Sequence, residues 1–412
     1  MRNRHPELLI PASSLEVLKT AVMFGADAVY IGGEAFGLRA KAKNFSMKDM
    51  KEGVQFAHEH GARVHVTVNI LAHNDDLEGA AEYLKELKEI GPDALIIADP
   101  AIFMLAKEIC PEIERHVSTQ ANNTNYGTFN FWWNLGAKRV VTARELSLKE
   151  IKEIREHIPA EMEIESFIHG AMCISYSGRC LLSNFFTGRD ANQGACTHPC
   201  RWKYSVVEET RPGEYMPVYE NERGTYIFNS KDLCMIEHIP EMIDAGIDSF
   251  KIEGRMKTAL YVATVARTYR KAIDDYLEDP KKYEANMPWY KDQISNCTYR
   301  QFTTGFYFGK PSEESQIYDS NTYIKEYTYL GIIGEIKDGM YCIEQRNKFS
   351  VGETIEIMKP DGQNVEVTVE KIVDEDGNEQ ESAPHPKQVL YVALSGEASV
   401  YDILRRSEGV TE

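Results

Sequence analysis

Short apolar runs alternate with helix-period patterns along the first two-thirds of the chain. The runs are 7–12 (ELLIPA), 28–33 (AVYIGG), 63–70 (RVHVTVNI), 94–99 (ALIIAD), 115–120 (RHVSTQ), 138–143 (KRVVTA), 162–170 (MEIESFIHG) and 249–254 (SFKIEG). Each has the length of a strand. Between them lie stretches such as SLEVLKTAVMFG, DLEGAAEYLKELKEIG and SLKEIKEIREHI, with apolar residues three and four apart, several opened by a polar cap and closed by glycine. Eight strands, each followed by a helix, predict an α/β fold: a closed (β/α)8 TIM-like barrel. An open doubly wound sheet has the same alternation, and the count of eight decides between them. TALYVATVARTYRKAIDDYLED supplies the last helix, so the barrel domain is expected over 1–280. A Cys-rich insertion, about 171–229, follows strand seven at the C-terminal face, where such barrels build their sites.

Residues 281–327 read as a connector rich in aromatics. Beyond it the period changes to two, in 329–336, 340–345, 353–358, 364–373 and 388–394, with Asp338-Gly339, Asp361-Gly362 and Asp376-Gly377 as turns. This predicts a small C-terminal all-β barrel domain over 328–412.

Composition narrows the class. The 412 residues are 43% hydrophobic, enough for large cores and outside the disordered regime. No apolar run reaches the length of a membrane span. The basic start is followed by an apolar run of only strand length and then by an amphipathic helix with Glu16 and Lys19, which argues against a signal peptide. A cytoplasmic chain with reduced thiols is the expectation. The net charge of −18 opposes broad nonspecific binding to nucleic acid unless basic residues are segregated.

The cysteines then raise a chemical question. Residues 170–200 (GAMCISYSGRCLLSNFFTGRDANQGACTHPC) hold four of the eight, spaced C-x6-C-x15-C-x3-C. Disulfides are the weakest explanation in a reducing compartment. Structural zinc sites usually pair cysteines two residues apart, so these gaps suit a wider iron–sulfur cluster better, and unliganded thiols are the remaining reading. Cys234 stands in a helix-like pattern, which counts against it as a ligand. Cys110, Cys297 and Cys342 are isolated and read as ordinary free thiols.

At this point the residues carry a resemblance. ESFIHGAMCISYSGRCLLS is similar to the signature of the collagenase-like peptidases of unassigned catalytic type, peptidase family U32. The similarity continues through PASSLEVLKTAVMFGADAVYIGG, ERHVSTQANNTN, NSKDL and KIEGRMK. NQGACTHPCRWKY, RPGEY and the C-terminal barrel resemble the family's prephenate-dependent tRNA uridine hydroxylases. The resemblance implies a 4Fe-4S cluster on Cys173, Cys180, Cys196 and Cys200, with tRNA as partner and prephenate as co-substrate. The implied reaction turns the wobble uridine 34 into 5-hydroxyuridine. Other branches act on ribosomal RNA or in ubiquinone synthesis. A peptidase and a non-catalytic cluster-bearing accessory protein are the alternatives. HExxH and GxSxG are both absent from the sequence, and metal-bound thiolates are not nucleophiles.

Residues predicted at strand C-termini supply the other site candidates: Asn69, Asp99, Gln120, Arg144, Glu165, His169, Glu253 and Arg255. Arg144 or Arg255 suits a carboxylate of prephenate through paired hydrogen bonds, and Glu165 and His169 suit proton transfer. Lys251 and Glu253 alternate on one strand and read equally well as a buried ion pair. HEHGARVH (58–65) reads as a solvated helix end rather than a metal site. For RNA, Arg179, Arg189, Arg201 and Lys203 surround the cysteines, and Arg255, Lys257, Arg267, Arg270 and Lys271 lie near the last strand and helix. Phe185, Phe186, Trp202 and Tyr204 are interleaved and suited to stacking a base. The small C-terminal barrel suits an RNA-docking module, while its acidic stretch, DEDGNEQE, leaves a non-RNA role open there.

Overall fold

Runs of apolar residues buried on both faces make the parallel strands, since a barrel strand is covered by helices outside and side chains inside. The strands are β1 (Glu7–Pro11), β2 (Ala28–Gly32), β3 (Arg63–Val68), β4 (Ala94–Ile97), β5 (Glu114–Val117), β6 (Arg139–Val141) and β7 (Glu163–Gly170). After a two-stranded ribbon, β8 (Ser205–Val206) with β9 (Met216–Pro217), come β10 (Asp232–Cys234) and β11 (Ser249–Ile252). A computed structural model of the chain describes residues 5–33, 44–173, 175–176, 179–189, 196–197, 199, 205–206, 216–217, 231–296, 301–310 and 327–408. Parallel pairing runs from β1 to β7 in chain order. β11 closes the ring: Ser249 lies opposite Glu7 on one side and opposite Glu165 on the other. The predicted closed eight-stranded barrel is therefore the observed one.

The helices between these strands are α1 (Leu15–Met23), α2 (Met47–Glu59), α3 (Asn74–Ile90), α4 (Pro100–Ile109), α5 (Tyr126–Leu135), α6 (Leu148–Glu156), α7 (Leu182–Thr187) and α8 (Ile239–Asp244). Their ends follow local chemistry. Ser147 and Glu150 form a reciprocal capping box on α6, and α5 runs from an Asn125 cap to Gly136 in the left-handed region at φ 100°.

One segment departs from the helical expectation. Around Cys234 the chain forms β10, which lies antiparallel to the end of β7, with Leu233 opposite Gly170 and Cys234 opposite His169. β7 is eight residues long and outruns its barrel neighbours, so its last backbone groups need a partner. β10 supplies it, and the Met235 N–H continues the pairing to the Ile168 carbonyl at 2.9 Å. β12 (Phe302–Thr303) extends β10 in turn.

The chain divides into two compact units, 1–22, 26–257 and 300–322 in one, and 23–25, 258–299 and 323–412 in the other. The second holds α9 (Ala259–Glu278) and α10 (Pro280–Ser295), the latter formed by residues expected to open a connector. Its strands are β13 (Tyr327–Lys337), β14 (Met340–Glu344), β15 (Thr354–Met358), β16 (Asn364–Asp374), β17 (Glu379–Gln380), β18 (Val389–Leu394) and β19 (Ile403–Ser407), all antiparallel. The β15–β16 pairing closes this sheet on a core that includes Leu330, Ile343, Ile357, Ile372 and Val392. Asp338-Gly339 turns at positive φ, as its sequence predicts. Among the described residues no helix is long and apolar enough to cross a membrane.

Candidate cofactor and substrate site

The barrel interior is charged in its lower, N-terminal half. Glu7 of β1, His65 of β3, His116 of β5, Arg139 of β6, Glu165 of β7 and Ser249 and Lys251 of β11 are all buried. Arg139 Nη1 donates to Glu7 at 2.5 Å and to Glu165 at 3.0 Å, and Lys251 Nζ donates to the other Glu165 oxygen at 2.6 Å. Arg63 also reaches Glu7. Burial alone would push Glu7 upward, yet Arg139 and Arg63 outweigh it and hold the carboxyl well below the usual range. Burial likewise opposes ionisation of Glu165, and Lys251 and Arg139 overcome it. Burial pulls the Lys251 ammonium down, with Glu165 opposing.

His65 and His116 meet edge-on at 4.8 Å between ring centroids. Burial drives both well below their ordinary range, so both rings are neutral. Ligand atoms of His65, His116 and Glu165 lie within 4.8 Å of one another. These are metal-binding residue types. However, both Glu165 oxygens are already held by cations, and Arg139 and Lys251 would repel a divalent ion in so dry a place. The cluster is the structural core of the barrel. The sequence gives no hint of it, because its members lie on six different strands; His65 falls in the expected strand 63–70 and in a stretch read as a solvated helix end rather than a metal site.

Glu165 belongs to this lower cluster, not to the mouth. It is the third residue of an eight-residue strand and has no solvent-exposed surface. Lys251 accordingly takes Glu165 as its hydrogen-bonded partner rather than the expected Glu253.

Above this layer Lys251 Nζ lies 4.4 Å from the Tyr30 ring, whose hydroxyl donates to the Ile252 carbonyl at 2.8 Å. The open end begins here. Arg255 Nη1 donates to Thr67 Oγ1 at 2.8 Å and runs so close over Gly32 that a Cβ there would stand 2.5 Å from it. Arg144 Nη1 donates to the Ala171 carbonyl at 2.7 Å, and its guanidinium lies 4.0 Å from the Phe167 ring centroid. Asn69 Nδ2 donates to Ser118 Oγ at 3.4 Å, and the buried Gln120 Oε1 has no hydrogen-bond partner among the described residues. Asp99 is spent on structure: it caps α4 through the Ala101 N–H and accepts from the Ala72 N–H. His169 is buried, and burial, helped by Lys257, pulls its pKa down to about 3, so it is neutral at physiological pH.

Of the four cysteines in the loop, Cys173 and Cys196 are exposed and Cys180 is half-buried, while Cys200 lies outside the described residues. Cys173 comes three residues after the end of β7. Cys180 and Cys196 are tied together through their neighbours: the Thr197 N–H donates to Ser183 Oγ at 3.0 Å, and the two hydroxyls meet at 3.1 Å. Cys234, half-buried and opposite His169, adds a further cysteine at the same end of the barrel. Pairing with β7, not the helix-like pattern of its own residues, makes this segment a strand. Thiols are the donor type an iron–sulfur cluster requires, and Cys173 and Cys234 both lie beside the C-terminal end of β7.

The expected RNA-facing residues separate. Phe185 is 81% exposed and Phe186 45%, with ring centroids 5.2 Å apart. Arg179 and Arg189 are exposed, and Arg179 Nε donates to Asn122 Oδ1 at 3.0 Å. Arg267, in contrast, is buried and donates to the Lys359 carbonyl and to Asn364 and Gln293, while Arg270 and Lys271 pair with Asp274 and Asp275. Those three basic residues serve the second unit's own structure. Arg201, Trp202, Lys203 and Tyr204 lie outside the described residues.

Known proteins with this sequence pattern decide the family. The model described as Peptidase family U32 matches residues 13–317, and that described as Peptidase family U32 C-terminal domain matches 325–405. The chain belongs to peptidase family U32. This U32 protein is 42% identical over 407 residues to tRNA hydroxylation protein P1 of Bacillus subtilis, covering 98% of this chain and 96% of that protein. It is 37% identical to tRNA hydroxylation protein P of Escherichia coli, covering 98% and 97%. A 23S rRNA 5-hydroxycytidine synthase of Escherichia coli is 41% identical over 273 residues, 66% of this chain and 40% of that protein.

Proposed function

We propose that this U32 protein is a cytoplasmic tRNA-modifying enzyme that hydroxylates the wobble uridine 34 to 5-hydroxyuridine. Prephenate is its co-substrate, and Cys173, Cys180 and Cys196, with Cys234 or Cys200 as the fourth ligand, hold a 4Fe-4S cluster. One observation carries the reading: the match to relatives named as tRNA hydroxylation proteins takes in 98% of the chain, C-terminal domain included, whereas the ribosomal RNA relative shares 66%.

Replacing C5–H of uracil by C5–OH takes one oxygen atom from an external donor and removes two electrons, and a 4Fe-4S cluster held by these cysteines would pass those electrons, one at a time, to an external acceptor, chemistry that side chains lack. The chain's own residues bind and orient. Arg255, set by Thr67, offers a planar cationic donor to a carboxylate of prephenate. Gln120 Oε1 and Asn69 offer polar atoms for a base edge, and Phe185 and Phe186 offer ring faces for a splayed base. His169, being neutral, accepts a proton rather than supplies one.

The test is to incubate anaerobically purified protein with unmodified tRNA, with and without prephenate, and to analyse the nucleosides by mass spectrometry. 5-Hydroxyuridine at position 34 that depends on prephenate is the expected result. No product from iron-loaded protein would overturn the reading, and proteolysis that survives chelation would favour a peptidase.

A further inference from the structure

We infer that Arg144 is a positioning residue that locks the exit of β7, and with it the first turn of the cysteine loop, and is not a receptor for a substrate carboxylate. The lock is read from geometry alone; its consequence for iron rests on the proposed cofactor.

A guanidinium that clamps a carboxylate presents two parallel N–H groups along one edge. Those of Arg144 are already divided. Nη1 donates to the Ala171 carbonyl at 2.7 Å, and Nη2 lies 4.0 Å from Glu253 Oε2. One face of the plane is covered by Phe167 at 4.0 Å, and the side chain is only 11% exposed. The remaining Nε–H is buried without a hydrogen-bond partner, and a single N–H makes no fork.

What the lock holds is a chain that must turn sharply. β7 ends at Gly170, at φ +106°, pressed so close to the neighbouring strand that a Cβ would stand 2.5 Å from the Glu253 carbonyl. Only glycine takes this turn without strain. The Glu253 N–H donates to the His169 carbonyl at 2.8 Å, which fixes the residue before it. The next carbonyl after Gly170 is the one Arg144 grips, and Cys173 follows two residues later. Below, the Tyr307 hydroxyl donates to the Phe167 carbonyl, so β7 is held from a second side where Arg144 stacks on the same residue. Arg144 thus joins the β6 loop, the ring of Phe167 and the start of the loop that carries the thiols.

The experiment compares wild type, Arg144→Gln and Arg144→Lys. Amide hydrogen exchange of the peptide covering 166–173 is measured in metal-free protein, and iron release to a chelator and the prephenate KM are measured after anaerobic reconstitution. The expected result for Arg144→Gln is exchange in 166–173 faster by about tenfold with α6 unchanged, iron released about tenfold faster, and KM changed less than about twofold in iron-loaded protein. Arg144→Lys, which keeps one donor but loses the stacked plane, falls between, and carries the test should the glutamine variant not fold. Wild-type exchange and iron retention together with a prephenate KM raised about tenfold would overturn the inference and make Arg144 the carboxylate receptor. Wild-type protein that binds no iron would end the cofactor reading, while the exchange measurement would still decide the lock.

Discussion

In the lower half of the barrel Arg139, Lys251, Glu7 and Glu165 neutralise one another at hydrogen-bonding distance, sealed from water, whereas at the open end Arg144, Arg255, Glu253 and the thiols meet solvent or the backbone of loops. Both regions are rich in charge, and both look functional by composition. The difference is what each charge has for a partner. Below, every ion faces an opposite ion in a place where unpaired charge is prohibitive. Above, the guanidinium groups hold the Thr67 hydroxyl and the Ala171 carbonyl instead.

Removing one ion from the lower cluster sharpens this contrast most. Arg139→Met leaves Glu7 and Glu165 short of their shared cation and should cost about 3–5 kcal/mol in urea unfolding, while Arg255→Met should cost less than about 1 kcal/mol. Equal losses from the two variants would break the comparison.

Acid should act on the lower half next. His65 and His116 have folded-state pKa values pushed well below the ordinary 6.5 by burial. The unfolded chain therefore binds more protons below 6.5, so their contribution is present above that pH and is lost as pH falls. The slope is at most about 1.4 kcal/mol per pH unit for each ring. Stability measured from pH 7 to pH 5 should fall, and the double variant His65→Asn, His116→Gln should flatten the slope. A flat wild-type profile would mean these rings are solvated.

The smallest effect on stability belongs to the thiols, and there the readout is iron. Cys234→Ser should shift unfolding by less than about 1 kcal/mol yet lower the iron bound per chain as far as Cys173→Ser does. Full iron in Cys234→Ser, with loss in Cys200→Ser, would return the fourth ligand to the loop.

All eight barrel strands were readable as apolar runs, with ends displaced by a few residues, as at 94–99 against the observed Ala94–Ile97. The strand at Cys234 was not readable, because its partner is the overhanging end of β7, more than sixty residues earlier in the chain. Glu165 and Arg144 are both charged residues near strand ends, and nothing local distinguishes them. Register places the first in the interior and leaves the second at the mouth.

The amino-acid sequence by itself determined the alternation of strand and helix, the antiparallel C-terminal domain with its Asp-Gly turns and the concentration of thiols after strand seven. These follow from periodicity and backbone preference, which act over a few residues. Tertiary structure alone decided which charges meet. Glu7 and Arg139 are 132 positions apart, and Cys234 faces His169 only because β10 pairs with β7. Closing the ring sets both, since strand register determines whether a side chain points into the dry interior or stands where solvent and substrate arrive.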